Sequence, residues 1–186
     1  EGQIVTCPGW SEFVRVLITK SQLTLIGSGP TTIIGQEERY DLSQGFHKGI
    51  VASTWWGNSI LYVRDVRIEN ARDGIYAGSS STTIQGSCFA GNVYSLWLLE
   101  GTTSVQSCQF ENGVGPGAHI TAHALTGVKV EECTFEHEQL PETAIGHIGL
   151  NWCTGVTIEN CTFVGGMNGV GFGFPSTGKV RHCVFE

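Results

Sequence analysis

Three histidines, two aromatic rings and two short polar side chains are the residues of this 186-residue chain best suited to chemistry: His119, His123, His147, Tyr76, Trp97, Thr121 and Asn151. The stretches that hold them alternate in a period of two. Ile75 and Ala77, Leu96 and Leu98, Ile120 and Ala122, Ile148 and Leu150, and Val170 and Phe172 mark one side of a strand. Val51 and Ser53, Tyr76 and Gly78, Trp97 and Leu99, His119, Thr121 and His123, His147, Gly149 and Asn151, then Gly171 and Gly173 mark the other. Aromatic surface beside hydrogen-bonding side chains is what a sugar groove offers: a flat apolar face for the ring and donors for its hydroxyls. An imidazole can also serve as a general base. His119 and His147 are the candidates for that role, with Arg64 or Arg67 nearby as in a lyase-type site. Glycosidase chemistry instead needs two carboxyl groups roughly 5 to 9.5 Å apart across the bond. The chain has only three aspartates, Asp41, Asp65 and Asp73, and their spacing forms no such pair.

The elements that must position these residues repeat. Residues 128–135 read VKVEECTF and residues 156–163 read VTIENCTF. Val63, Ile84, Val105, Val130, Ile158 and Val180 form a column with steps of 21, 21, 25, 28 and 22 residues. Three residues beyond each stand Val66, Ser87, Cys108, Cys133, Cys161 and Cys183, and five beyond stand Ile68, Phe89, Phe110, Phe135, Phe163 and Phe185. A period above 20 residues is too long for a hairpin meander and belongs to a solenoid with loop insertions. Two apolar positions three apart cannot share one face of a flat strand. The spacing therefore predicts a corner just before the cysteine column, at Asp65, Gly86, Ser107, Glu132, Asn160 and His182. Two short strands meeting there and a third after the loop make an all-β, single-stranded, right-handed parallel β-helix of about seven rungs, spaced about 4.8 Å apart. The hand follows the right-handed crossover preference. Each cysteine and phenylalanine is then expected to stack on its equivalent one rung away.

Composition narrows the function. The length suits one domain, residues 1–186, with a first rung near 1–36 and repeats over 37–186. A net charge of -7 with only 10 Lys plus Arg argues against nucleic acid as a partner. The apolar runs are short and interrupted, so neither membrane insertion nor a signal segment is expected. The chain starts at Glu1 and ends within a repeat on VRHCVFE, which suggests a segment of a longer protein. Four of the seven cysteines occupy one repeat position and read as core filler rather than as a disulfide framework. Stacked in parallel they do not converge as zinc ligands must, and no metal or cofactor is expected. Trp55 and Trp56 offer one ring inward and one outward. The GSGP stretch at 27–30 lacks the residues of a phosphate loop and reads as a turn. Asn160-Cys161-Thr162 is a glycosylation sequon only if the chain passes through a eukaryotic secretory route.

With these repeats, and an opening IVTCPGWSEFVRVLITKSQLTLIGSGPTTIIGQ that is similar to the family's first rung, the chain resembles the pectin-lyase-like right-handed β-helix superfamily. The resemblance covers nearly the whole chain and implies the fold. It leaves function open, because that superfamily holds lyases, hydrolases, esterases, epimerases, phage tailspikes and non-catalytic surface proteins. The Asn-Thr-Asp, Asp-Asp, Gly-His-Gly and Arg-Ile-Lys motifs of polygalacturonase-like members are missing here. So are the methylesterase stretches and the acidic calcium cluster of pectate lyases. The expectation is a carbohydrate-interacting module of a larger extracellular, cell-surface or virion-type protein, with a polysaccharide as ligand. The alternatives are a polysaccharide lyase or hydrolase, or a structural module whose faces meet another copy or other subunits of an assembly. In the last case the outward aromatics pack under the loops at 113–118 and 137–145 or against a partner.

Overall fold

The structure is a computed structural model that describes residues 16–18, 22–27, 33–35, 48–53, 59–114, 117–137 and 146–186. Trp55, Trp56, Asp41, most of the GSGP turn and most of the opening segment lie outside the described residues.

Every strand pairing is parallel and joins one turn of the coil to the next, and no helix occurs among the described residues. One face consists of seven short strands: Ile33–Gly35, Arg67–Glu69, Cys88–Ala90, Gln109–Glu111, Thr134–Glu136, Thr162–Val164 and Val184–Phe185. The other two faces form an 11-stranded sheet, because Asp73–Gln85, Tyr94–Gln106 and Ile120–Glu131 run through the bend between them without a break in pairing. This is the expected β-helix, with three strand segments per turn. It makes about 5 turns. The expectation of about seven rungs is slightly too high, while the right-handed parallel β-helix itself holds.

The predicted corner is present at all six positions. Asp65, Gly86, Ser107, Glu132, Asn160 and His182 have φ between 52 and 57°. A left-handed residue redirects the chain by a step that a strand cannot take, so the residue two before it and the residue just after it both face inward. Asp, Asn, His and Gly accept this conformation more readily than most, whereas Ser107 and Glu132 do so at a steric cost.

The bore fills by like-on-like stacking. Phe89, Phe110, Phe135, Phe163 and Phe185 lie in register with centroids 4.6 to 5.1 Å apart and ring planes within 9° of parallel. Beside them run Val63, Ile84, Val105, Val130 and Ile158, all buried. Cys108, Cys133 and Cys161 are buried free thiols. Each donates to the carbonyl two residues earlier, at 3.2, 3.1 and 3.3 Å respectively. The cysteines thus fill volume and satisfy their own weak donors, and each stacked aromatic pair adds about 0.5 to 1.5 kcal/mol beyond its burial.

Candidate ligand face and interior histidine cluster

The outer face keeps part of the predicted site. Tyr76 pairs with Trp97, Trp97 with Thr121, Thr121 with Gly149 and Gly149 with Gly171, giving one outward row across five strand segments. Beside it runs the row Gly78, Leu99, His123 and Asn151. Tyr76, Trp97, Thr121 and His123 are half-buried and Asn151 is exposed. Trp97 is held upright from one side: the Tyr94 ring meets it edge-on at 4.5 Å, and the Arg72 guanidinium lies 5.5 Å from its centroid. Arg72 is anchored in turn by the buried Asp73, 3.6 Å away. The far end of the row is open, since a Cβ on Gly149 would meet nothing within 4 Å. At Gly173 a Cβ would collide with Asn151 Oδ1, so that glycine makes room for the Asn151 amide.

One contributor was not anticipated from the sequence. Trp152 is 55% exposed and meets His123 edge-on at 4.7 Å. It occupies the bend after the strand with φ 52°, a position shared by Ala124 and Glu100, so the alternation that marked Trp97 does not reach it.

His119 and His147 are not on this face. Both rings point into the bore, with relative exposures of 2% and 0%. The predicted alternation was carried one residue too far: the strands begin at Ile120 and Ile148, and the histidines lie in the bend before them. There the chain turns, and successive residues both face inward. Their equivalents on neighbouring turns are Gly74, Ser95 and Gly169, on the same ladder of backbone hydrogen bonds. Arg64 and Arg67 are likewise not brought to them. Arg64 pairs with Asp65 at 3.0 Å, and Arg67 pairs with Glu69 at 2.7 Å and Glu111 at 3.5 Å. Arg67 is half-buried next to the inward Ile68, hence on the outer side of the wall. Among the described residues, neither Arg64 nor Arg67 pairs with either of these histidines for a lyase-type step.

Inside the wall a third histidine joins the other two. His137 follows the strand Thr134–Glu136 and is 7% exposed. The ring centroids lie 4.6 Å apart for His119 and His137, 5.0 Å for His137 and His147, and 5.6 Å for His119 and His147. Sequence reasoning missed His137 because it belongs to a corner and not to an alternating strand. The usable signal was its position two residues past Phe135, where the other turns place Gly91, Asn112 and Gly165.

The hydrogen bonding of these rings is one-sided. His147 Nε2 donates to the Gly165 carbonyl at 2.9 Å, which leaves the lone pair on Nδ1. His119 Nδ1 is 3.3 Å from Ser95 Oγ. His119 Nε2, His137 Nε2 and His147 Nδ1 are buried and have no hydrogen-bond partner among the described residues. Burial pushes all three rings toward the neutral form. His119 falls well below the usual imidazole range, first through desolvation and then through the other two histidines. His137 falls to about 4 through burial and then through His147. His147 falls through burial, opposed by its bond to Gly165.

The fold and these two sites define a right-handed parallel β-solenoid with a partly aromatic outer face and a cluster of three histidines in its bore. Residues 49–186 match the family described as "Right handed beta helix region", and the chain belongs to that family. No curated protein and no solved structure matches it.

Proposed function

We propose that the chain is a carbohydrate-interacting β-helix module of a larger extracellular or virion-type protein, and that a polysaccharide lies along the row from Tyr76 to Gly171. The observation that carries this reading is the sequence of surfaces in that row: two aromatic rings in register, then Thr121, then two glycines. The rings offer stacking area to a pyranose, Thr121 and Asn151 offer hydrogen bonds, and the glycine end admits a chain close to the backbone. His123 and Trp152 extend the strip sideways at its open end. Hydrolysis or elimination is not part of the proposal, because among the described residues neither a carboxylate pair nor a histidine with a charged partner faces the row.

The test is a polysaccharide and oligosaccharide binding panel with the purified chain, run beside Trp97→Ala and Trp152→Ala variants whose fold is checked by circular dichroism. Selective binding weakened about tenfold or more by Trp97→Ala, equivalent to about 1.4 kcal/mol, is the expected result. Binding that both variants leave unchanged refutes the row, and no binding by the folded protein refutes the carbohydrate reading.

A further inference from the structure

The buried histidines remain unexplained by an outer sugar face. Buried polar atoms nearly always have partners, and three unpartnered ring nitrogens in one cluster depart from that rule. We propose that His119, His137 and His147 form a binding site for a divalent first-row transition metal ion of the zinc type.

Four observations support it. One ring nitrogen from each histidine lies within 4.8 Å of those of the other two. Nitrogens bound to one tetrahedral ion at about 2.0 to 2.1 Å sit about 3.4 Å from each other, so closing on a metal asks the rings to approach by at most about 1.4 Å. His147 is oriented as metal-bound histidines are, with one nitrogen tied to an oxygen acceptor and the other left free, and the Ser95 hydroxyl stands at the corresponding place on His119. All three rings are buried, at 2, 7 and 0% exposure, so the wall keeps bulk water from competing for the ion. Lastly, the adjoining turns leave the rings room: a Cβ on Gly166 would stand 2.8 Å from His147 Nε2, and one on Gly113 would stand 2.9 Å from His137 Cε1 and 3.2 Å from His119 Cε1.

Imidazole ligands select zinc, cobalt, nickel and copper over calcium or magnesium, which require oxygen. A site of three histidines leaves a fourth position for water or an anion. The rings come from three separate segments of two adjoining turns, so an ion would cross-link the coil where its column of repeated residues is interrupted.

The 186-residue chain, stripped with a chelator and dialysed, is titrated with zinc chloride and separately with cobalt chloride. Bound metal is counted by mass spectrometry, and the cobalt complex is read by visible and near-ultraviolet absorption. The account predicts one tightly held ion per chain, cobalt bands of a nitrogen-ligated tetrahedral or five-coordinate site without a thiolate charge-transfer band, and a higher Tm with metal. In His137→Gln affinity falls at least tenfold, while in His182→Ala, which alters an exposed histidine outside both sites, it is unchanged. A folded wild-type chain that takes up no metal overturns the proposal. So does uptake that persists in His137→Gln, or a thiolate band, which would assign the metal to the cysteines. If His137→Gln does not fold, the wild-type cobalt spectrum decides alone.

Discussion

The phenylalanine ladder and the histidine cluster occupy the same bore and touch. Phe110, Phe135 and Phe163 meet His119 and His147 with centroids 5.7 to 6.1 Å apart. Yet the two columns are built on opposite principles. The ladder repeats one residue at five successive turns, carries no polar atom, and gains from every stacked neighbour. The histidines appear at only two successive turns of their column, between Ser95 and Gly169, and are joined by His137 from a corner. They leave three buried nitrogens unpartnered, each at a cost of about 1 to 3 kcal/mol. The comparison teaches that the repeat determines the shape, and that the departure from the repeat is the place to look for chemistry.

Breaking the ladder has the largest expected effect. Phe135→Ala removes a ring stacked on both sides and destabilises the protein by about 3 to 5 kcal/mol, read as a lower urea midpoint at unchanged slope. A loss below about 1 kcal/mol would mean that the ladder does not hold the coil together.

Acid sharpens the contrast, because only one of the two columns can titrate. The folded histidines have lowered pKa values, so the unfolded chain, titrating near 6.5, takes up protons first. Their contribution to the stability of the metal-free protein is intact above about pH 6.5 and is lost as the pH falls from there toward about 4, the value for His137. The urea midpoint is expected to fall between pH 7 and pH 5, and to fall less in His137→Gln. Equal slopes for the two proteins would mean that this ring is not buried in its neutral form.

The smallest effect lies outside both columns. Ala124 occupies a bend with φ 56°, where glycine is free of the steric penalty of a Cβ. Ala124→Gly is expected to raise stability by about 0.5 to 1 kcal/mol in chemical denaturation. A loss of that size would place the strain elsewhere.

The parts of the fold that obey a period could be read directly. The Val and Ile column, the cysteine column, the phenylalanine stack and the corner from Asp65 to His182 all follow from residues aligned at one spacing. The sites were legible only where strand alternation holds, which placed Tyr76, Trp97, Thr121, His123 and Asn151 outward. His119 and His147 were read outward because alternation was extended back into a bend, whereas the strands begin one residue later, at Ile120 and Ile148. His137 and Trp152 occupy corners, where the period of two does not apply and the longer repeat marks the position, filled elsewhere by Gly91, Asn112 and Gly165 or by Glu100 and Ala124, without marking the side chain as functional.

The most direct test of this division between shape and chemistry is anomalous diffraction at the zinc absorption edge from crystals of the chain grown with zinc. The account predicts one strong peak within bonding distance of His119, His137 and His147, with the phenylalanine ladder undisturbed beside it. A map with no peak there, or with the ion at Cys88 or along the cysteine column, would contradict it.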